Sequence, residues 1–93
     1  MKQELGSFES VRQMAGKNGP VRNQFIIQTN KGMVFQSYRS IVAAKVDGKT
    51  YLNKETWDYS VTTGKYRNAF LGECKAETER KIKSGQYILA DLN

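Results

Sequence analysis

Ninety-three residues hold one hydrophobic core and no second one. A composition that is 39% hydrophobic and 26% charged, with a net charge of +6, is that of an ordinary soluble domain drawn to acidic or phosphate-bearing partners. The single Cys74 excludes an internal disulfide, the lack of histidine excludes Ser-His-Asp and Cys-His chemistry and His-ligated zinc, and no apolar run is long enough to span a bilayer, so the expected setting is the cytoplasm.

In chain order, Ser7 caps an expected helix over 8–15, with Phe8, Val11, Arg12 and Ala15 on one face and Gly16 as its stop. Lys17-Asn18-Gly19-Pro20 reads as a turn. Gln24 to Thr29 reads as a strand around its Phe-Ile-Ile centre, and Asn30-Lys31-Gly32 as a three-residue hairpin loop. Met33 to Val46 is β-rich, and its alternation changes phase near Ile41, which predicts a bulge or bend at Arg39-Ser40. Asp47-Gly48 predicts a tight turn with positive φ at both positions, and Lys49 to Leu52 a returning strand.

Trp57, Tyr59 and Val61 alternate with Asp58, Ser60 and Thr62, which predicts a further strand with Trp57 and Tyr59 in the core. Thr62 or Thr63 then caps a helix through Leu71 that ends at Gly72, with Tyr66 and Phe70 stacked on its inner face. A second helix is expected from Glu73 to Ser84, buried along Leu71, Cys74, Thr78 and Ile82, and a short strand from Gln86 to Ala90. The expected fold class is α+β: one domain over 1–93, β-rich over 24–61 and helical over 63–84. It would be an antiparallel sheet of three to five strands with two or three short helices.

The charge is unevenly placed. Between Val11 and Lys54 lie Arg12, Lys17, Arg22, Lys31, Arg39, Lys45, Lys49 and Lys54, opposed by Asp47 alone, a local net of +7. From Glu55 onward six basic and six acidic residues cancel. Two sets of residues could use such a field. Ser60 to Asn68 gathers three hydroxyls, Gly64, Lys65, Tyr66 and Arg67 at a helix start, where free N–H groups favour an anion. The central hairpins mix Lys31 at a loop tip with Tyr38, Arg39, Lys45, Lys49 and Tyr51, cations and rings of the kind that hold single strands on small sheets. The plainer alternatives are an N-cap with a core tyrosine, and lysines that protect strand edges.

Other chemistry finds little support. Gly64-Lys65, Gly48-Lys49 and Gly16-Lys17 lack the glycine five residues earlier that a phosphate-binding Walker loop requires, since Tyr59, Ala43 and Val11 stand there. Glu73, Glu77 and Glu79 sit among basic residues and read as a solvated helix face, so no metal and no cofactor is expected. Cys74, in a balanced charge environment, reads as an inert, partly buried thiol.

Phe35-Gln-Ser-Tyr38, Asp47-Gly48-Lys49, Trp57-x-Tyr-Ser-x-Thr-Thr63, Lys65-Tyr-Arg-Asn68 and Phe70-Leu-Gly72 together resemble a family of short uncharacterised bacteriophage-encoded proteins, over roughly residues 20–93. The resemblance carries no catalytic residue. It implies a small accessory protein in an infected bacterial cytoplasm that binds nucleic acid or attaches to a host protein. The expectation is therefore a non-catalytic nucleic-acid binder that uses Arg39, Lys45, Lys49, Lys65, Tyr66 and Arg67, with Tyr38 also free to stack. The alternative is a protein-interaction module with an acidic host or defence partner, or an oligomer of this chain.

Overall fold

A computed structural model describes residues 2–93. Eight elements follow in order: β1 (Phe8–Gly16), β2 (Gly19–Thr29), β3 (Gly32–Ser37), β4 (Ser40–Val46), β5 (Lys49–Asn53), α1 (Val61–Leu71), α2 (Lys75–Lys83) and β6 (Tyr87–Ala90). All six strands form one sheet in chain order. Pairing is antiparallel from β1 to β5 and parallel between β5 and β6. A parallel pair needs a long crossover connection, and the segment between β5 and β6, with its two helices, supplies one. The domain is α+β as expected, but the sheet is mixed and has six strands rather than three to five.

The additional strand at the N-terminus replaces the expected helix over 8–15. Its apolar residues do fall at helical spacing, yet Phe8 and Val11 are 53% and 59% exposed and only Met14 is buried. No helical stripe is paid for by burial there, whereas pairing with β2 satisfies the backbone groups on the inner edge of the segment. The register shift between Phe8 and Ser10 marks a bulge in β1, and the one between Gln13 and Ala15 sets residues 21–24 of β2 against Met14 alone.

The phase change near Ile41 has two causes. A turn at Tyr38-Arg39 separates β3 from β4, with Tyr38 at φ 56°. Phe35 then faces Ala43 while Gln36 faces Ile41, so Val42 is the additional residue of a bulge. Val42 and Ala43 consequently enter the same core cluster. Asp47 and Gly48 both take positive φ, 52° and 77°, as the Asp-Gly pair predicts.

Residues 54–59 form turns rather than a strand. The edge of β5 away from β4 is taken by β6, so a Trp57–Val61 strand could not pair with β5. Trp57 packs on the core, but Tyr59 is 50% exposed and Val61, the first helical residue, is almost fully exposed. Ser60, rather than Thr62 or Thr63, is the N-cap: its Oγ accepts the Thr63 N–H at 3.1 Å. Gly72 ends α1 in the left-handed conformation.

Both faces of the sheet are covered. On one, Met14, Ile26, Phe35, Ala43, Leu52 and Tyr87 pack under the helices with Leu71, Tyr66, Phe70 and Ile82. Phe70 stacks on Phe35, ring centroids 5.8 Å apart, rather than on Tyr66. On the other, Ile27, Val34, Ala44, Val46 and Tyr51 pack with Leu5 and Leu92 from the terminal segments. Those segments lie side by side: Lys2 bridges Asp91, and Asn93 exchanges side-chain bonds with the Ile41 backbone at 2.8 and 3.0 Å. Burial on both sides explains why Val42, Ala43 and Ala44 are consecutive and all inaccessible. Among the described residues no helix is long and apolar enough to cross a membrane.

Candidate nucleic-acid interface

Successive hairpins place their turns at alternate ends of the sheet. The β1–β2 and β3–β4 turns share one end, and α1 starts there, since Ser37 Oγ and Thr63 Oγ1 hydrogen-bond at 2.9 Å. The β2–β3 loop and the β4–β5 turn share the opposite end, and α1 finishes there, where Lys45 Nζ donates to the Phe70 carbonyl at 3.0 Å. The +7 segment is thereby divided in two.

At the end where α1 starts lie Lys17, Arg39 and Lys65, all exposed and without an ion pair among the described residues. Exposed tyrosine rings accompany them: Tyr38 in the β3–β4 turn and Tyr59 ahead of α1. At the other end Lys31 is paired with Glu4 and Asp47 at 3.7 and 3.9 Å. Lys45 lies 4.9 Å from the Phe70 ring centroid and complements the carbonyl end of α1. Lys49 is exposed in the β4–β5 turn. Of the six expected contact residues, then, Arg39 and Lys65 share an end, while Lys45 and Lys49 lie at the other.

Arg67 is inside the molecule, 1% exposed. Its Nη1 donates to the Trp57 carbonyl at 2.6 Å and to Asp58 Oδ1 at 3.2 Å, its Nη2 to Asn68 Oδ1 at 2.9 Å, and its guanidinium lies 5.2 Å from the Trp57 ring. The guanidinium lies alongside Gly64 of α1, close enough that a Cβ there would be in ordinary van der Waals contact with it. Arg67 is a staple holding residues 57–58 to the helix, its guanidinium committed to internal partners. Tyr66 is half-buried on the core, with Lys65 Nζ 5.3 Å from its ring centroid.

A cleft of about 630 Å³ opens beside the start of α1, lined by Asp58, Tyr59, Ser60, Lys65, Arg67 and Lys75 among others. Its inner cations are already neutralised, because Asp58 also takes Lys75 Nζ at 2.7 Å. The Lys75 hydrogen bond, supported by Arg67 against the opposing effect of burial, holds the Asp58 carboxyl below its usual range. Among the described residues, Lys65 is the one cation of this cleft left to a ligand.

Two acidic and thiol readings change. Glu73 is not on a solvated face: its side chain is 4% exposed. It accepts from Lys81 Nζ and Tyr87 Oη at 2.7 Å each and from Thr78 Oγ1 at 2.6 Å. Burial pushes the Glu73 carboxyl up, but these three donors outweigh it and hold the group below its usual range. Cys74 is exposed at the N-cap of α2 rather than partly buried.

Lys17 and Tyr59 are the residues of this end that sequence reasoning left out of the site. Lys17 was read in a turn, as it is, but the Asn18-Gly19 pair was also a hairpin signal that would have made this a turn between two strands rather than one after a helix. Nothing local distinguishes Tyr59 from a core ring.

No curated protein and no solved structure matches the chain. A family model does, over residues 10–86, from within β1 through α2, including Lys17, Arg39 and Lys65. By that match the chain belongs to a family of unknown function, DUF8033.

Proposed function

We propose that this is a small non-catalytic accessory protein, phage-encoded as the resemblance implies, that binds nucleic acid at the end of the sheet where α1 starts. One observation carries the reading: among the described residues Lys17, Arg39 and Lys65 are exposed and free of ion pairs at one end, with the Tyr38 and Tyr59 rings exposed beside them. Unpaired cations neutralise backbone phosphates, and exposed rings stack on bases of any identity, so the binding is expected to be tolerant of sequence. The groups that could do acid–base chemistry, Asp58 and Glu73, are committed to internal partners.

Fluorescence anisotropy with single- and double-stranded oligonucleotides at about 50 and 200 mM salt tests it. Three phosphate contacts on a single strand give an affinity loss of about 20-fold between those salts. Arg39→Ala with Lys65→Ala should weaken binding for all sequences alike and flatten the salt dependence. No binding at the lower salt, or a double variant that binds as the wild type does, would overturn the reading.

A second reading has its own observation. The outer edge of β1 has no strand beside it, and Phe8 and Val11 are exposed there. Such an edge can accept a strand from a protein partner or from another copy of the chain. Retention of a partner after nuclease treatment, lost in Val11→Lys, would favour this reading.

A further inference from the structure

β2 pairs with β3 only over Gln24–Gln28, yet it continues back to Gly19. The β1–β2 ribbon therefore overhangs the sheet by the length of residues 19–23, about 16 Å of extended chain. It does not stand free. Asn23 takes a φ of 62° and lies within residues 21–24 of β2, which stand opposite Met14 alone between the Gln13–Phe25 and Ala15–Pro20 pairs. At that irregularity the ribbon bends toward the helices, where Met14 enters the core. Its tip comes to rest beside α1. Between them is a cleft of about 260 Å³ lined by Gly16, Lys17, Asn18, Lys65 and Tyr66, together with neighbours in the ribbon.

We infer that this cleft is a phosphodiester clamp: Lys17 and Lys65 grip one backbone phosphate from opposite walls, and the adjoining base or sugar rests against Tyr66. The inference rests on the nucleic-acid reading above and names where a strand would enter. Its support is local. Both walls carry an exposed lysine, and no acidic residue lines the cleft. Two like charges across a concave, partly desolvated space focus a positive potential and repel each other until an anion enters. The neighbouring larger cleft differs on this point, since Asp58 already neutralises Arg67 and Lys75 within it. Tyr66 supplies an apolar floor, because it is packed against the core and cannot swing away.

The test is anisotropy of a labelled decathymidylate against the full chain and the variants Lys17→Ala, Lys65→Ala, the double variant and Arg39→Ala, at about 50 mM salt. Both lysines are exposed, so unchanged unfolding midpoints are expected and serve as the folding control. Each lysine variant should lose about tenfold in affinity. The double variant should lose far less than the product of the two, because both grip the same phosphate, whereas Arg39→Ala should combine multiplicatively with either. If Lys65→Ala and Arg39→Ala weaken binding while Lys17→Ala stays within about twofold of wild type, the clamp is overturned and the nucleic-acid reading stands. If the wild type binds no oligonucleotide, that reading falls, and inorganic pyrophosphate titrated against the amide NMR spectrum decides the cleft. Shifts confined to residues 16–19 and 65 would then support an anion clamp of another use, and an unchanged spectrum would overturn it.

Discussion

Arg67 shows how far a residue's chemistry depends on where its side chain ends. A guanidinium between a lysine and an asparagine reads as a surface cation, but here it is held by the Trp57 carbonyl, Asp58 and Asn68. Replacing a buried, hydrogen-bonded charge leaves its partners without donors, so Arg67→Ala should cost about 3–5 kcal/mol in urea unfolding, while Lys65→Ala leaves the midpoint unchanged. Gln24 is the opposite case: fully buried, with no hydrogen-bond partner for either Nε2 or Oε1. Unpaired buried polar atoms are destabilising, so Gln24→Met, which keeps the volume, should raise stability by about 1 kcal/mol. Asp58 and Glu73 set the acid behaviour. Their folded pKa values lie below the ordinary carboxylate range, so their stabilisation is present above that range and is lost as pH falls through the folded values. Thermal unfolding across pH should show a flat neutral region and a falling acid limb. Glu73→Gln should lower the neutral midpoint and bring the two curves together as the pH drops.

Among elements, the β1–β2 ribbon was the least legible. Phe8, Val11, Arg12 and Ala15 satisfy helical spacing, yet the strand needs only one buried side chain, Met14, because β2 supplies its backbone bonds. Spacing reports what could be buried together, and pairing with a distant strand is invisible to it. The β2–β5 meander was legible because its turns carry their own chemistry in Asn30-Lys31-Gly32 and Asp47-Gly48. Gly32 adds a constraint that no local pattern announces: a Cβ there would collide with the Lys45 carbonyl on β4. Gly32→Ala should therefore destabilise near the top of the ordinary range, about 3 kcal/mol, with the Gly32–Val46 pairing the first to lose amide protection in hydrogen exchange.

For the molecule as a whole, the alternation of hairpin ends decides what the net charge can do. A +7 segment read linearly looks like one patch, but β-meander geometry sends Arg39 and Lys17 to one end and Lys31, Lys45 and Lys49 to the other. Binding should accordingly be far less sensitive to Lys49→Ala than to Arg39→Ala, a comparison that anisotropy at fixed salt makes directly. Composition, charge, the Asp-Gly turn, the two C-terminal helices and the final strand were determined by residues close in sequence, since turn conformation, capping and amphipathic spacing act over a few positions. The strand identity of β1, the parallel β5–β6 pair, the burial of Arg67 and Glu73 and the meeting of Lys17 with Lys65 were decided by tertiary structure alone. Each depends on groups far apart in the chain, and only packing and backbone pairing across that distance determine which side chains face water and which face one another.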